Sequence, residues 1–96
     1  MPLTMTAEEW IKAKHTIDAT GIRLQDPDSP THTNHRTASG AARRLNWLHN
    51  RGKYDVDMFV GGIHILVPSH DQLGPLSYSD WSVLELIADA LRRGRL

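Results

Sequence analysis

Apolar residues recur at helical spacing in three stretches of the chain and alternate at strand spacing in one. The first helix is predicted over 7–20, where Ala7, Trp10 and Ile17 share a face and Ile11 lies beside it. Thr6, with Glu9 three residues later, makes a capping-box start, and Gly21 supplies the left-handed stop. A second helix is predicted over about 37–51, with Ala38, Ala41, Leu45 and Leu48 at spacings of three and four and Gly52 closing it. A third spans 80–93. Ser79 is its N-cap, Asp80 and Glu85 lie towards its positive end, and Arg92 and Arg93 lie near its negative end. This last helix carries two apolar stripes, Trp81, Leu84, Ile87, Ala88 and Leu91 on one side and Val83, Leu86 and Ala90 on the other. A helix apolar nearly all round needs cover on both sides. In so short a chain a homodimer joined through Val83, Leu86 and Ala90 is expected; the alternative is that the chain's own first helix covers the second stripe.

The alternating stretch reads as a hairpin. Tyr54, Val56, Met58 and Val60 alternate with Asp55, Asp57 and Phe59, Gly61-Gly62 is a two-residue turn signal, and Ile63 to Val67 follow before Pro68. Pairing across that turn sets Val60 opposite Ile63, Met58 opposite Ile65 and Val56 opposite Val67, so all six share one face. The other face holds Phe59, His64, Leu66, Asp55 and Asp57 and is only half polar. Ile22 and Leu24 alternate in Ile-Arg-Leu-Gln, a short third strand at most. From 26 to 39 the chain is polar (DPDSPTHTNHRTAS); Pro27 and Pro30 disfavour helix, and an irregular loop is expected. The pattern predicts a single small α+β domain over 1–96, three helices with a β-hairpin.

Charge changes this picture. The net charge is zero, yet residues 36–53 carry Arg36, Arg43, Arg44, Arg51 and Lys53 and no acid, whereas 54–91 carry six acids and no Lys or Arg. The chain has no cysteine, so a disulfide framework, a thiolate nucleophile and a Cys-based zinc finger are excluded. The start lacks the pattern of a signal peptide, and no apolar run approaches the roughly 20 residues that span a bilayer. A cytoplasmic protein without membrane association is expected.

The segment ASGAARRLNWLHNRGKYDVDMFVGGIHILV, residues 38–67, runs from small residues through Arg-Arg-Leu and a second Leu into Arg-Gly and a strand. It resembles the recognition helix and wing of a winged helix-turn-helix DNA-binding domain. The resemblance implies a winged-helix-like fold, a second helix near 26–34, and a small transcriptional or accessory regulator. In that reading Arg36, Arg43, Asn50 and Arg51 face the groove. Arg36, Arg43, Arg44, Arg51 and Lys53 hold phosphates, and Asn46 or Asn50 reads a base. Two such helices in a dimer would face one duplex.

Trp47 sits in the middle of this outward face, and Trp ringed by Arg has the composition of a protein-interface hot spot. It can also stack a base of a single strand or take a cation from its own neighbouring arginines. The alternative function is therefore a small protein-interaction module or inhibitor, of phage type, that docks on an acidic partner. In a further variant the same arginines sequester a small anionic ligand. Six histidines, including His32 and His35 in HTNH beside Asp28, and His49, His64 and His70, show no spacing that converges on zinc. Ser39, Ser69-His70-Asp71, Ser77 and the Asp55/Asp57 pair offer no triad or tuned carboxylate, because adjacent side chains point apart. Neither cofactor, metal nor enzymatic activity is expected.

Overall fold

The computed structural model describes residues 5–26, 28–53, 55–67 and 78–94. Its elements run α1 (Ala7–Thr20), β1 (Ile22–Gln25), β2 (His32–His35), α2 (Ala38–His49), β3 (Asp57–Val60), β4 (Ile63–Leu66) and α3 (Asp80–Arg93). It is an α+β fold, three helices over a four-stranded antiparallel sheet of order β2-β1-β3-β4.

Local chemistry accounts for most boundaries. Both arms of the Thr6/Glu9 capping box are made, at 3.2 Å and 3.0 Å. Gly21 ends α1 at φ 73°, where a Cβ would stand 3.1 Å from the His35 carbonyl, so both the backbone and the neighbour demand glycine. Ser79 caps α3 by accepting from Ser82 N. The hairpin has the expected register: Val60↔Ile63 and Met58↔Ile65 pair, and Val67 N donates to Val56 O at 3.0 Å. Gly61 and Gly62 both have positive φ, 56° and 81°, as a type I′ turn requires. The regular strand starts later than the alternation suggests, at Asp57, because Asp55 takes a left-handed φ of 61°. Tyr54, Pro68 and the 68–77 connection, with Ser69, His70, Asp71 and Ser77, lie outside the described residues.

Three expectations are corrected. The polar stretch 26–39 is not irregular throughout: His32–His35 form β2, paired antiparallel with all of β1. Within 26–34, where the resemblance implies a helix, residues 28–34 thus hold a turn and part of an edge strand; a segment without apolar alternation became a strand because β1 offered it an unpaired backbone edge. The second stripe of α3 needs no second subunit. α3 packs against α1, α2 and β4, which leaves Val83 at 0% and Ala90 at 8% exposure and packs Leu86 against the core. In α1 the buried positions are Ala13 and Ile17 with Trp10 half-buried, whereas Ala7 and Ile11 are exposed.

The core joins one face of the sheet to the three helices. Strand register places Ile22, Leu24, Met58, Val60 and Ile65 on that face, and Ala41, Leu45, Leu48, Val83, Leu84 and Ile87 close over them. Truncating a fully buried leucine such as Leu45 to alanine costs about 2–5 kcal/mol through lost burial and a residual cavity. Among the described residues no helix covers the opposite sheet face, and Phe59 (38%) and Leu66 (58%) are exposed there.

Candidate nucleic-acid interface

With Ala41, Ala42, Leu45 and Leu48 turned into the core, helical geometry sends Arg43, Trp47, Asn50 and Arg51 to the opposite side, and all four are exposed. Arg36, one residue before the Thr37 N-cap, extends this stripe, and Arg44 flanks it half-buried. From Arg36 to Arg51 the stripe runs about 22 Å at helical rise. Among the described residues no carboxylate pairs with Arg36, Arg43, Arg44 or Arg51.

Trp47 is 41% exposed, and its ring is flanked by guanidiniums one turn away on either side, Arg44 at 4.1 Å and Arg51 at 3.7 Å from its centre. Arg51 Nη1 also donates to Trp47 O at 3.5 Å. Stacking on an indole holds a guanidinium by its face and leaves its edge donors for a phosphate. The cationic field is felt locally. Burial first, and then Arg44 and Arg43, hold the half-buried His35 imidazole below its ordinary value.

Two of the expected contact residues already have partners within the chain, Asn46 part-buried and Lys53 at the surface. Asn46 Nδ2 donates to Tyr78 O at 2.9 Å and its Oδ1 accepts from Tyr78 N at 2.7 Å. Its amide clips the entry of α3 to α2 and is not free to read a base. Lys53 Nζ pairs with Asp28 at 2.7 Å, which raises the lysine above its ordinary value and ties the turn at Asp28 to the end of α2. The candidate surface is therefore four arginines, Trp47 and Asn50, the last serving also as the α2 C-cap.

The other candidates disperse. His32 and His35 stand three apart on one strand, so they point to opposite faces and cannot share a metal. His32 approaches Arg23 at 3.5 Å and His35 bonds Thr33 Oγ1 at 2.8 Å. Asp57 bonds His64 Nε2 at 2.6 Å, and no group of three metal-ligating side chains occurs among the described residues. His49 is buried edge-to-face against Tyr78, whose phenol burial pushes up to about 12.

Pattern reading missed two clusters. On the open sheet face, cross-strand register sets Arg23 beside Phe59 and Phe59 beside His64, with the rings of the latter pair stacked at 4.8 Å. The second is a cleft bounded by Trp10 and Trp81; both indoles sit on helix stripes that read as core, yet Trp81 is 51% exposed. Only tertiary register reveals either. Compared with known proteins, the chain matches no family model, no curated relative and no solved structure. No helix among the described residues is long and apolar enough to cross a membrane.

Proposed function

We propose that this chain binds nucleic acid, duplex DNA foremost, by laying the exposed stripe of α2 along the phosphate backbone as a small regulatory or accessory protein. The observation that carries the reading is the set of four guanidiniums along α2 and its two ends, none paired with a described carboxylate, two of them braced on Trp47. Each phosphate met by one of them releases counterions, which drives association. With Asn46 committed to Tyr78, only Asn50 among the amides of the stripe is placed to meet a base edge. Binding is then largely backbone-directed and weakly selective. The hairpin adds no cation of its own: its tip is Gly61-Gly62, and Gly61 sits so close to α1 that an added Cβ would lie 3.0 Å from Thr16 Cγ2. A fluorescence-anisotropy titration of the protein onto a short labelled duplex at low salt tests the proposal. Saturable binding that weakens for Arg43→Ala and Arg51→Ala supports it, and an absence of binding refutes it.

One observation favours a second reading. An exposed Trp braced by two arginines is the composition of a hot spot, so an acidic protein surface is the competing partner. In that case Trp47→Ala abolishes capture of the protein partner while the protein ignores the duplex.

A further inference from the structure

We propose that the cleft between α1 and the first turns of α2 and α3, which shares only Arg36 with the α2 stripe, is a second binding site for a mononucleotide-like ligand, a planar heteroaromatic ring carrying a phosphate. The cleft encloses about 410 Å³, inside the roughly 300–1,000 Å³ range of small-molecule sites. Ile17 and Leu84, both buried, form its apolar floor, and Trp10 and Trp81 line it. Trp81 leaves 51% of its surface in water and has no ring or cation partner among the described residues. An indole held this way on a structured helix is a platform for a flat ring.

The polar side of the cleft selects what that ring must carry. Lys14 stands over the Trp10 ring at 4.7 Å, and Arg36, which has no carboxylate partner among the described residues, enters from the α2 side. The opening turn of α2 also lines the cleft. Its Thr37 side chain satisfies Gly40 N, whereas the preceding Ala38 and Ser39 N–H groups are the orphan donors that every helix start leaves. That turn holds no acid, unlike the first turns of α1 and α3. Two cations and a helix start without a counter-charge favour a phosphate.

Asp18 and Asp80 line the same space, and Asp80 Oδ1 accepts from Trp81 N at 2.8 Å. Two carboxylates disfavour a bare anion or a fatty acid. They suit a ligand that offers donors as well as a phosphate, as the hydroxyls and ring amine of a nucleoside do. Indole platform, cations and carboxylates together therefore specify a nucleotide rather than any of its fragments.

The test uses a Trp47→Phe protein, in which Trp10 and Trp81, both in the cleft, are the remaining tryptophans. Adenosine 5′-monophosphate, adenosine and inorganic phosphate are titrated separately, with tryptophan quenching and heat of binding as readouts. The expected result is saturable quenching by the monophosphate, at least about tenfold tighter than by either fragment, which is what one charge-assisted hydrogen bond contributes. Trp81→Ala and Lys14→Ala, both at exposed positions, should each weaken it about tenfold or more, and Trp81→Phe should retain it. Equal affinities for monophosphate and adenosine, or indifference to Trp81→Ala and Lys14→Ala, would overturn the proposal. Arg43→Ala separates this site from the α2 stripe. It should leave the monophosphate untouched, and a loss as large as that of Lys14→Ala would place the ligand on the stripe and end the case for the cleft.

Discussion

Replacing Lys53 by alanine should barely change the salt dependence of duplex binding, whereas replacing Arg43 should change it by a full phosphate contact. The two side chains carry the same charge and lie within one basic block. They differ in what the fold has done with them: Lys53 Nζ is already 2.7 Å from Asp28, and Arg43 has no carboxylate partner among the described residues. If each free guanidinium meets one phosphate, the slope of log K against log salt is about −3.6 for the parent protein, and affinity falls about 150-fold between about 50 and 200 mM salt. Arg43→Ala should flatten the slope to about −2.7 and reduce that fall to about 40-fold. Lys53→Ala should leave the slope within error of the parent, because the cation it removes was balanced by Asp28 before binding. Anisotropy titrations over a salt series give all three slopes. Parent and Arg43→Ala slopes that coincide would remove the arginine stripe as the contact surface. A Lys53→Ala change as large as that of Arg43→Ala would show that charge along the chain, and not the pairing seen in the fold, decides binding.

Asn46→Ala should lower stability by roughly 2 kcal/mol in urea unfolding, since it removes two side-chain hydrogen bonds to the Tyr78 backbone, and should leave the salt slope unchanged. Tyr78 is pushed up to about 12 by burial, so its contribution is intact below its unfolded value near 10 and is lost as pH rises from there through 12. In Tyr78→Phe the alkaline decline in thermal melts should be shallower than in the parent, and what remains includes the loss of the raised Lys53. His35 is held below its ordinary value, so its contribution is present above pH about 6.5 and declines as pH falls from there. Phosphates placed on Arg43 and Arg44 would relieve part of that depression. Duplex affinity should therefore tighten as pH falls below about 6.5, and His35→Gln should weaken that dependence in the same anisotropy assay.

The elements that depend on near neighbours were legible in the chain. The caps at Thr6 and Ser79, the helix stop at Gly21 and the register around Gly61-Gly62 each rest on residues a few positions apart, although Gly21 combines its positive φ with an extended ψ of −179° and is not αL. β2 was not legible, because His-Thr-Asn-His has no apolar alternation to announce it; its strand character comes from β1 across the sheet. The two-sided apolarity of α3 was visible, but the identity of its cover was not. Only the fold shows that α1, α2 and β4 supply the cover, which is why a subunit contact through Val83 and Ala90 is superfluous.

The same division runs through the candidate site. Membership of a helix face follows from 3.6-residue periodicity, so Arg43, Trp47 and Arg51 could be placed outward before any coordinates, and the bracing of Trp47 by its own arginines is an i−3 and i+4 relation. What a side chain on that face is free to do depends on residues far away in sequence. Asn46 meets Tyr78 across 32 positions and Lys53 meets Asp28 across 25. Neither pairing leaves a mark in local composition, and both subtract members from the surface that the charge pattern outlines. The cleft shows the converse: Trp10, Lys14, Arg36 and Trp81 come from three separate regions of the chain, and each alone reads as packing or solvation. A helix stripe can therefore be proposed from sequence, but the number of contacts it can make, and hence its salt slope, is a property of the tertiary fold.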